Sequence, residues 1–192
     1  MNFLAHSYLS YTLEERLGNL IADFVKNRDR ERYSLGIRHG IQLHREIDNF
    51  TDMHPKVLEA KRIFSPLVGL YAGAFIDISF DYFLANLFSE KDLLHFTEDT
   101  YRSVGDYMAM LPQKTQFFLS SMQRDNWLYN YRTDFGIKMS FQHLLKKAKY
   151  LENHLSVFDV FLENKPKLQI FFADFFPELE NKAQTVHAAF GL

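Results

Sequence analysis

Cysteine is absent from the 192-residue sequence. The protein therefore has no disulfide bond, no thiolate zinc site and no cysteine nucleophile. Any metal ion must be held by histidine, aspartate, glutamate, asparagine or backbone oxygen atoms. Such ligands favour hard or borderline divalent cations, so a metal centre in this chain would hold Mn, Mg, Fe or Zn.

An excess of basic charge is lacking as well, because 22 lysine and arginine residues face 24 aspartate and glutamate residues. This balance argues against nucleic acid as the main partner. Residues 1–16 lack the basic region and long apolar run of a secretory signal, and no stretch approaches the roughly 20 apolar residues of a membrane-spanning helix. We therefore expect a soluble, cytoplasmic protein with no membrane partner.

The sequence is instead rich in apolar side chains: 47% of its residues are hydrophobic, and phenylalanine occurs 20 times. This richness argues against disorder, and the length suffices for one domain, residues 1–192, with its own core. Apolar residues recur at helical spacing, whereas the sustained alternation typical of strands is missing. The sequence predicts an all-α, single-domain bundle of about eight helices.

Local signals predict where several helices begin and end. Helix-capping residues occur at Asn2, at Thr12 with Glu15, at Ser34, at Ser89 and at Thr133. Prolines predict a break at Pro66 and an interruption at Pro177. Gly18 lies inside a helix, where glycine costs about 1 kcal/mol relative to alanine, so we expect another backbone to approach it closely.

The stretch 37–55, IRHGIQLHREIDNFTDMHP, concentrates the candidate chemistry. Four of its residues recur at spacings of four, three and four, namely Ile37, Ile41, His44 and Asp48. At about 3.6 residues per turn, they share one stripe of a helix. A histidine and an aspartate therefore lie on the side that should face the core. Because a buried carboxylate is costly unless it is paired or binds a cation, this pair indicates a site.

Other segments also place polar side chains among apolar ones. His6 lies in an apolar segment near the amino terminus, and Asp23 follows Asn19 by one helical turn. Asp77 and Asp81, again four residues apart, are the only acids in a long apolar helix before its end near residue 88. Two carboxylates on one face of such a helix need a common explanation.

Together these side chains predict a divalent metal centre, with six candidate ligands: His6, Asp23, His44, Asp48, Asp77 and Asp81. Helices suit such a site because residues four apart converge from one face. The alternative is a structural polar network, in which Asp23 pairs with Lys26 and Asp77 caps a neighbouring helix. The joint occurrence of all six favours metal binding or catalysis. No GxxxxGK[ST], GxGxxG or GxSxG motif supports another chemistry.

Six segments resemble the acyl carrier protein phosphodiesterase family: MNFLAH, GNLIADFV, GIQLHREIDNFTDMHP, DISFDYFL and, more weakly, NWLYNYR and FFADFFPEL. They occur in the expected order over essentially the full length, and GNLIADFV is specific in combination with LHREID. The resemblance implies an HD-domain-like helical fold. It also implies a metal-dependent enzyme that removes 4'-phosphopantetheine from holo acyl carrier protein to give the apo protein, with manganese preferred.

Carried over residue by residue, the polar positions of the family fall on Asn2, His6, Asn19, Asp23, His44, Arg45, Asp48, Asp77 and Asp81. We expect four metal ligands, Asp23, His44, Asp77 and His6. Asp48 or Asp81 would orient the attacking water or complete the metal shell, and Arg45 would neutralise the phosphodiester. This chain departs from the family at Tyr82, where the family often has histidine. It also lacks the adjacent His-Asp doublet of ordinary HD enzymes.

The resemblance further implies a docking surface, because the recognition helix of acyl carrier protein is acidic. Candidate basic residues for this surface are Lys56, Lys61, Arg62, Lys146, Lys147 and Lys149. Two other functions stay open from the residues alone. One is an HD-like phosphohydrolase acting on a nucleotide or another small phosphodiester. The other is a non-catalytic helical binding protein whose polar cluster only fixes packing.

Overall fold

The computed structural model describes residues 1–191, and within them the chain is all-α, as predicted. Ten α-helices are joined by loops and short 3-10 turns, and no strand occurs among these residues. The count exceeds the expected eight partly because the segment around 116–131 divides into two helices. The helices are α1 (Phe3–Tyr8), α2 (Leu13–Ile21), α3 (Leu35–Met53), α4 (Pro55–Val68), α5 (Ala72–Ala85), α6 (Glu90–Gly105), α7 (Gln113–Arg124), α8 (Trp127–Asn130), α9 (Asp134–Lys147) and α10 (Val157–Ala188).

Most of the predicted helix caps are present. The Thr12 hydroxyl accepts the backbone N–H of Glu15, whose carboxylate accepts the N–H of Thr12 in return. Three further hydroxyls cap their helices in the expected way, those of Ser34, Ser89 and Thr133. The expectation for Asn2 is wrong, because its side chain makes no cap bond and donates to the Tyr131 hydroxyl instead.

The two breaks predicted at prolines are wrong. Helix α4 continues through Pro66 and ends before Gly69, whose φ of 55° suits glycine. Helix α10 likewise continues through Pro177. Each proline removes one helical hydrogen bond, but the buried face of α10 extends across it from Phe176 to Leu179. Packing on both sides therefore outweighs the local preference for a break.

Helix α3 joins the two apolar clusters of the protein. It contributes Ile37 and Ile41 to a small cluster with α2, and Leu43 and Ile47 to the large one. The large cluster is centred on α5 and α10, which bring many phenylalanine rings together. His44 therefore lies on α3 just after the point where its buried apolar residues change from the small cluster to the large one.

One stretch, Pro55–Ala85, is long and apolar enough to cross a membrane by length and composition alone. The expectation that no stretch reaches this length is wrong on that criterion. The stretch comprises α4 and α5, which separate at Gly69. Its largest fully buried side chains, Phe64, Phe75 and Phe80, lie in the core, and buried core helices meet the same criterion.

Helices α2 and α3 cross with their backbones in contact at two glycines. A Cβ atom at Gly18 would collide with the carbonyl oxygen of Ile37, and one at Gly40 would collide with that of Glu15. The close approach expected at Gly18 is confirmed. This close approach places the next residue, Asn19, against α3, where it orients side chains of the site described below.

Candidate metal centre

A cavity of about 230 Å³ opens where α1, α3 and α5 meet the turn that follows α2. Its lining combines two imidazoles with four carboxylates and consists of Met1, Asn2, Phe3, His6, Asp23, His44, Asp48, Thr51, Asp52 and Asp77. Five of the six candidate ligands thus come together here. Asp81 is the one that lies outside the lining.

The two cavity histidines converge on one aspartate. The rings of His6 and His44 are stacked, with centroids 4.1 Å apart. Nε2 of His6 lies 3.2 Å from Oδ1 of Asp48, and Nε2 of His44 lies 3.1 Å from its Oδ2. One ligand atom from each of the three residues lies within 4.8 Å of the others, a spacing that can hold a metal ion.

Asn19 orients both imidazole rings from α2. Its amide nitrogen donates to the carbonyl oxygen of His6 at 2.9 Å and to the hydroxyl of Ser10 at 3.1 Å, so its Oδ1 must face the rings. That oxygen accepts Nδ1–H of His6 at 2.7 Å. The backbone oxygen of Asn19 accepts Nδ1–H of His44 at 2.8 Å. Each ring therefore directs Nε2 at Asp48, as second-sphere partners of metal-bound histidines do.

This arrangement places two acceptors against each other. Because Nδ1 of a neutral His6 carries the proton that Asn19 accepts, its Nε2 presents a lone pair. That lone pair faces a carboxylate oxygen of Asp48 at 3.2 Å. Two facing acceptors repel each other unless a positive charge lies between them. The donor set and its hydrogen bonds therefore fit a divalent cation.

Charge is divided unequally between the two histidines. Burial lowers the pKa of His6 to about 4, and the nearby His44 adds to this effect. Burial also acts to lower the pKa of His44, but hydrogen bonds to Asp23 and Asp48 outweigh it and raise that pKa to about 9. Burial opposes ionisation of Asp48, yet the hydrogen bond that it accepts from His44 helps to lower its pKa overall. In the metal-free protein at neutral pH, the proton on His44 balances part of the negative charge.

Cation binding should therefore release about one proton, because a metal ligand must be a neutral imidazole. The apparent affinity for manganese should rise about tenfold per pH unit from pH 6 to pH 8 and level off above the His44 pKa of about 9. Isothermal titration calorimetry in two buffers of different ionisation enthalpy measures both the affinity and the proton release. An affinity that stays constant with pH would contradict the assignment of this proton to His44.

The stability of the metal-free protein supplies the control with the opposite sign. The folded-state pKa of His44 lies above its ordinary value of about 6.5, so its ion pair stabilises the fold fully below that pH. The contribution is then lost as the pH rises through about 9. The unfolding temperature measured in chelator should thus fall over the same pH range in which the metal affinity rises.

Asp77 and Asp81 both serve the amino-terminal segment. Asp77 reaches the cavity, where its Oδ1 accepts the α-amino group of Met1 at 3.1 Å. Asp81 is fully buried and accepts the backbone N–H groups of Leu4 at 2.8 Å, and of Asn2 and Ala5 at 3.3 Å. Burial raises the pKa of Asp81 to about 7, against the effect of these three donors. Asp81 therefore lies outside the cavity lining, and its oxygens accept hydrogen bonds from the amino-terminal segment.

Asp23 lies at the cavity mouth with a largely exposed side chain, and its Oδ1 is 3.5 Å from Nε2 of His44. This hydrogen bond lowers the pKa of Asp23, so the carboxylate stays ionised. Asp23 is therefore placed to provide a further oxygen ligand from the turn after α2.

Arg45 does not face the cavity. Its side chain is exposed and donates to Oδ1 of Asn27 at 2.6 Å. Successive helical residues diverge by about 100°, so Arg45 turns to solvent when His44 turns inward. In this structure, Arg45 thus lies outside the lining of the cavity that contains His44 and Asp48.

The candidate docking residues differ in their surroundings. Lys61 pairs at 2.8 Å with Asp52, which lines the cavity, so it lies at the cavity edge. Lys56 pairs with Glu59 and Asp174. The remaining candidates, Arg62, Lys146, Lys147 and Lys149, are not part of the cavity lining. Among these basic groups, Lys61 is therefore the one nearest to the candidate chemistry.

Two cavity features carried only weak signals in the sequence. Asn19 shares a helical face with Asp23, but the spacing did not disclose that it would bind both histidines. Thr51 follows Asp48 by three residues, and this spacing places it on the same face of α3. Both are polar residues three or four positions from a candidate ligand, and that is the signal that could have found them.

Most of the sequence is similar to proteins of one known family. The family described as acyl carrier protein phosphodiesterase matches residues 1–179. Proteins of that name are similar to this chain: one from Photorhabdus laumondii is 29% identical over 96% of both chains. One from Yersinia enterocolitica is 30% identical over 96% of this chain and 98% of its own, and one from Escherichia coli is 34% identical over 69% and 71%. No solved structure matches the chain significantly. The chain belongs to the acyl carrier protein phosphodiesterase family.

Proposed function

We propose that this protein is a metal-dependent phosphodiesterase that removes 4'-phosphopantetheine from holo acyl carrier protein. The observation that carries the proposal is the convergence of two Nε2 atoms and the Asp48 carboxylate within 4.8 Å in a carboxylate-lined cavity. The names of the relatives point to acyl carrier protein as the substrate. The reaction would be hydrolysis of the phosphodiester that joins the arm to its protein.

The site would hold a divalent cation, with manganese the first candidate and Mg, Fe or Zn possible alternatives. His6, His44 and Asp48 would bind it, and Asp23 would add an oxygen ligand. Asp77 lies in the same cavity, but its pairing with the Met1 amine makes it a weaker candidate. When bound, the cation would supply Lewis acidity, which polarises a phosphoryl oxygen and favours deprotonation of a water molecule.

The protein's own groups would contribute orientation and charge. Asn19 holds both imidazoles with Nε2 directed inward, which lowers the cost of assembling the site. His6 approaches from α1, whereas His44 and Asp48 both lie on α3, so the packing of α1 against α3 decides whether the site forms.

The test is hydrolysis of holo acyl carrier protein in the presence of manganese by the wild-type protein and by Asp23→Ala and His44→Ala. We expect His44→Ala to lower kcat/KM by about 100-fold or more, since a metal ligand and its charge are lost. Asp23→Ala should have a smaller effect, and excess chelator should abolish turnover of the wild-type protein.

Four results would contradict the proposal. Equal rates in the wild type and both variants would exclude this cavity as the active site. Full activity in chelator would exclude a metal requirement. If cyclic or linear nucleotides turn over faster than holo carrier protein in one panel of assays, a nucleotide is the preferred substrate. A protein that neither turns over any of them nor shifts its unfolding temperature with manganese would be a binding protein.

A further inference from the structure

Thr51 carries a buried hydroxyl without a hydrogen-bond partner. The residue is 2% exposed, and its Oγ1 contacts no donor or acceptor among residues 1–191. Its side chain lines the cavity that contains His6 and Asp48. A buried hydroxyl left unpaired costs about 1–3 kcal/mol. Such a group calls for a specific explanation, and a bound molecule is one.

Other hydroxyls of this protein make a local hydrogen bond that Thr51 lacks. Nine of them donate to a backbone carbonyl three or four residues earlier: Ser7, Ser10, Ser79, Thr97, Thr100, Ser103, Ser121, Thr133 and Thr185. This local bond is the usual one for a hydroxyl in a helix. Because Thr51 does not make it, the donor of this cavity-lining residue has no partner among residues 1–191.

The cavity needs such a donor if it is to accept an anion. Four carboxylates in its lining repel a phosphodiester, and two other donors of the lining already give a hydrogen bond to a protein group. The Met1 amino group donates to Asp77, and the Asn2 amide donates to Tyr131. Thr51 contributes a donor that none of the described residues uses. As a neutral group, it can bind an anion without competing with a cation for the carboxylates.

We propose that the Thr51 hydroxyl donates a hydrogen bond to a non-bridging phosphoryl oxygen of the substrate, an inference that rests on the phosphodiesterase function proposed above. Asp48 and Thr51 are three residues apart on α3 and share one face. The phosphoryl group would therefore lie between the metal ligands and this hydroxyl. The stability that the free protein forgoes at Thr51 is recovered when the anion binds.

Thr51→Val tests this assignment, because valine keeps the shape of threonine and lacks the hydroxyl. We expect kcat/KM for holo acyl carrier protein to fall about 10- to 100-fold, the range for a lost hydrogen bond to a charged group. The affinity of the manganese-loaded protein for inorganic phosphate, measured by calorimetry, should fall by a similar factor. The unfolding temperature should stay the same or rise, since an unpaired hydroxyl is removed. Thr51→Ser should restore kcat/KM to within about threefold.

Thr97→Val is the matched control. Thr97 is equally buried on α6, but its hydroxyl donates to the carbonyl oxygen of Leu94 at 2.9 Å. This variant should lose stability and retain both kcat/KM and phosphate affinity, the reverse of the result at Thr51.

Two outcomes would overturn the proposal: a Thr51→Val protein with unchanged kcat/KM and phosphate affinity, or one whose main defect is lower stability. Absence of phosphate binding to the wild type would overturn it as well. If the wild type binds phosphate but does not hydrolyse holo carrier protein, the proposed function fails. The comparison of phosphate affinities then still decides the role of Thr51.

Discussion

Replacement of Asp48 by asparagine should lower kcat/KM for holo acyl carrier protein by about 1000-fold or more and remove tight manganese binding. Asparagine keeps the size of the side chain but offers one neutral oxygen in place of two charged ones. Asp48 is the group that faces Nε2 of both His6 and His44, at 3.2 and 3.1 Å. A 1000-fold loss corresponds to about 4 kcal/mol of transition-state stabilisation. Steady-state kinetics and calorimetric titration with manganese measure the two effects.

The fold should survive this change. In the metal-free protein, Asp48 and Asp23 hold the proton on His44, so His44 can release that proton once the charge of Asp48 is gone. Glu46→Gln is the matched control, because Glu46 lies on the same helix and pairs with Lys182 on the surface. Surface pairs contribute about 0–1 kcal/mol, so this variant should keep both activity and metal affinity. An Asp48→Asn protein that behaves like Glu46→Gln would exclude Asp48 from the metal centre.

The central helix shows how much of the site could be predicted from the sequence. Periodicity alone placed Ile37, Ile41, His44 and Asp48 on one stripe, and α3 does bury both isoleucines and His44. It could do so because the period of a helix is a local property of the backbone. The close backbone approach at Gly18 was foreseeable for a similar reason, since glycine inside a helix needs a packing explanation.

The segment that each helix face contacts could not be predicted in the same way. Asp77 and Asp81 share a face of α5, as their spacing indicated, and they do have a common explanation. That explanation is the amino-terminal segment, which lies more than 70 residues away in sequence. Spacing reports which way a side chain points, whereas its contact depends on the arrangement of whole helices.

The prolines also show that local sequence rules do not determine the packed structure. A rule based on local backbone geometry predicts a break at Pro66 and at Pro177. The helices continue because buried residues on both sides of each proline belong to the same core, among them Phe64 and Val68 in α4. A lost hydrogen bond can be outweighed by the burial of large apolar side chains, and only the packed structure discloses that balance.

Replacement of Asp81 by alanine should destabilise the whole protein and leave the chemistry of its folded fraction largely intact. The variant leaves the N–H groups of Asn2, Leu4 and Ala5 without their acceptor. Hydrogen bonds to a buried charge contribute about 1.5–3 kcal/mol, so we expect a loss of about 3 kcal/mol or more. For a chain of this length the Tm should fall by roughly 6–12 °C. The measurement belongs at pH 8, where the carboxylate is ionised because its pKa is about 7.

The same variant separates a structural role of Asp81 from a catalytic one. Helix α1 carries His6 into the cavity, so its loosening weakens the site only as far as the helix frays. Well below the lowered Tm, kcat should therefore stay within about tenfold of the wild type. Asp92→Ala is the control, because Asp92 lies exposed in the first turn of α6, where a carboxylate contributes about 0.3–1 kcal/mol. An Asp81→Ala protein with an unchanged Tm and a kcat reduced more than about 100-fold would return Asp81 to the reacting groups. The opposite pattern assigns it to holding the amino terminus of α1, and through that helix the position of His6.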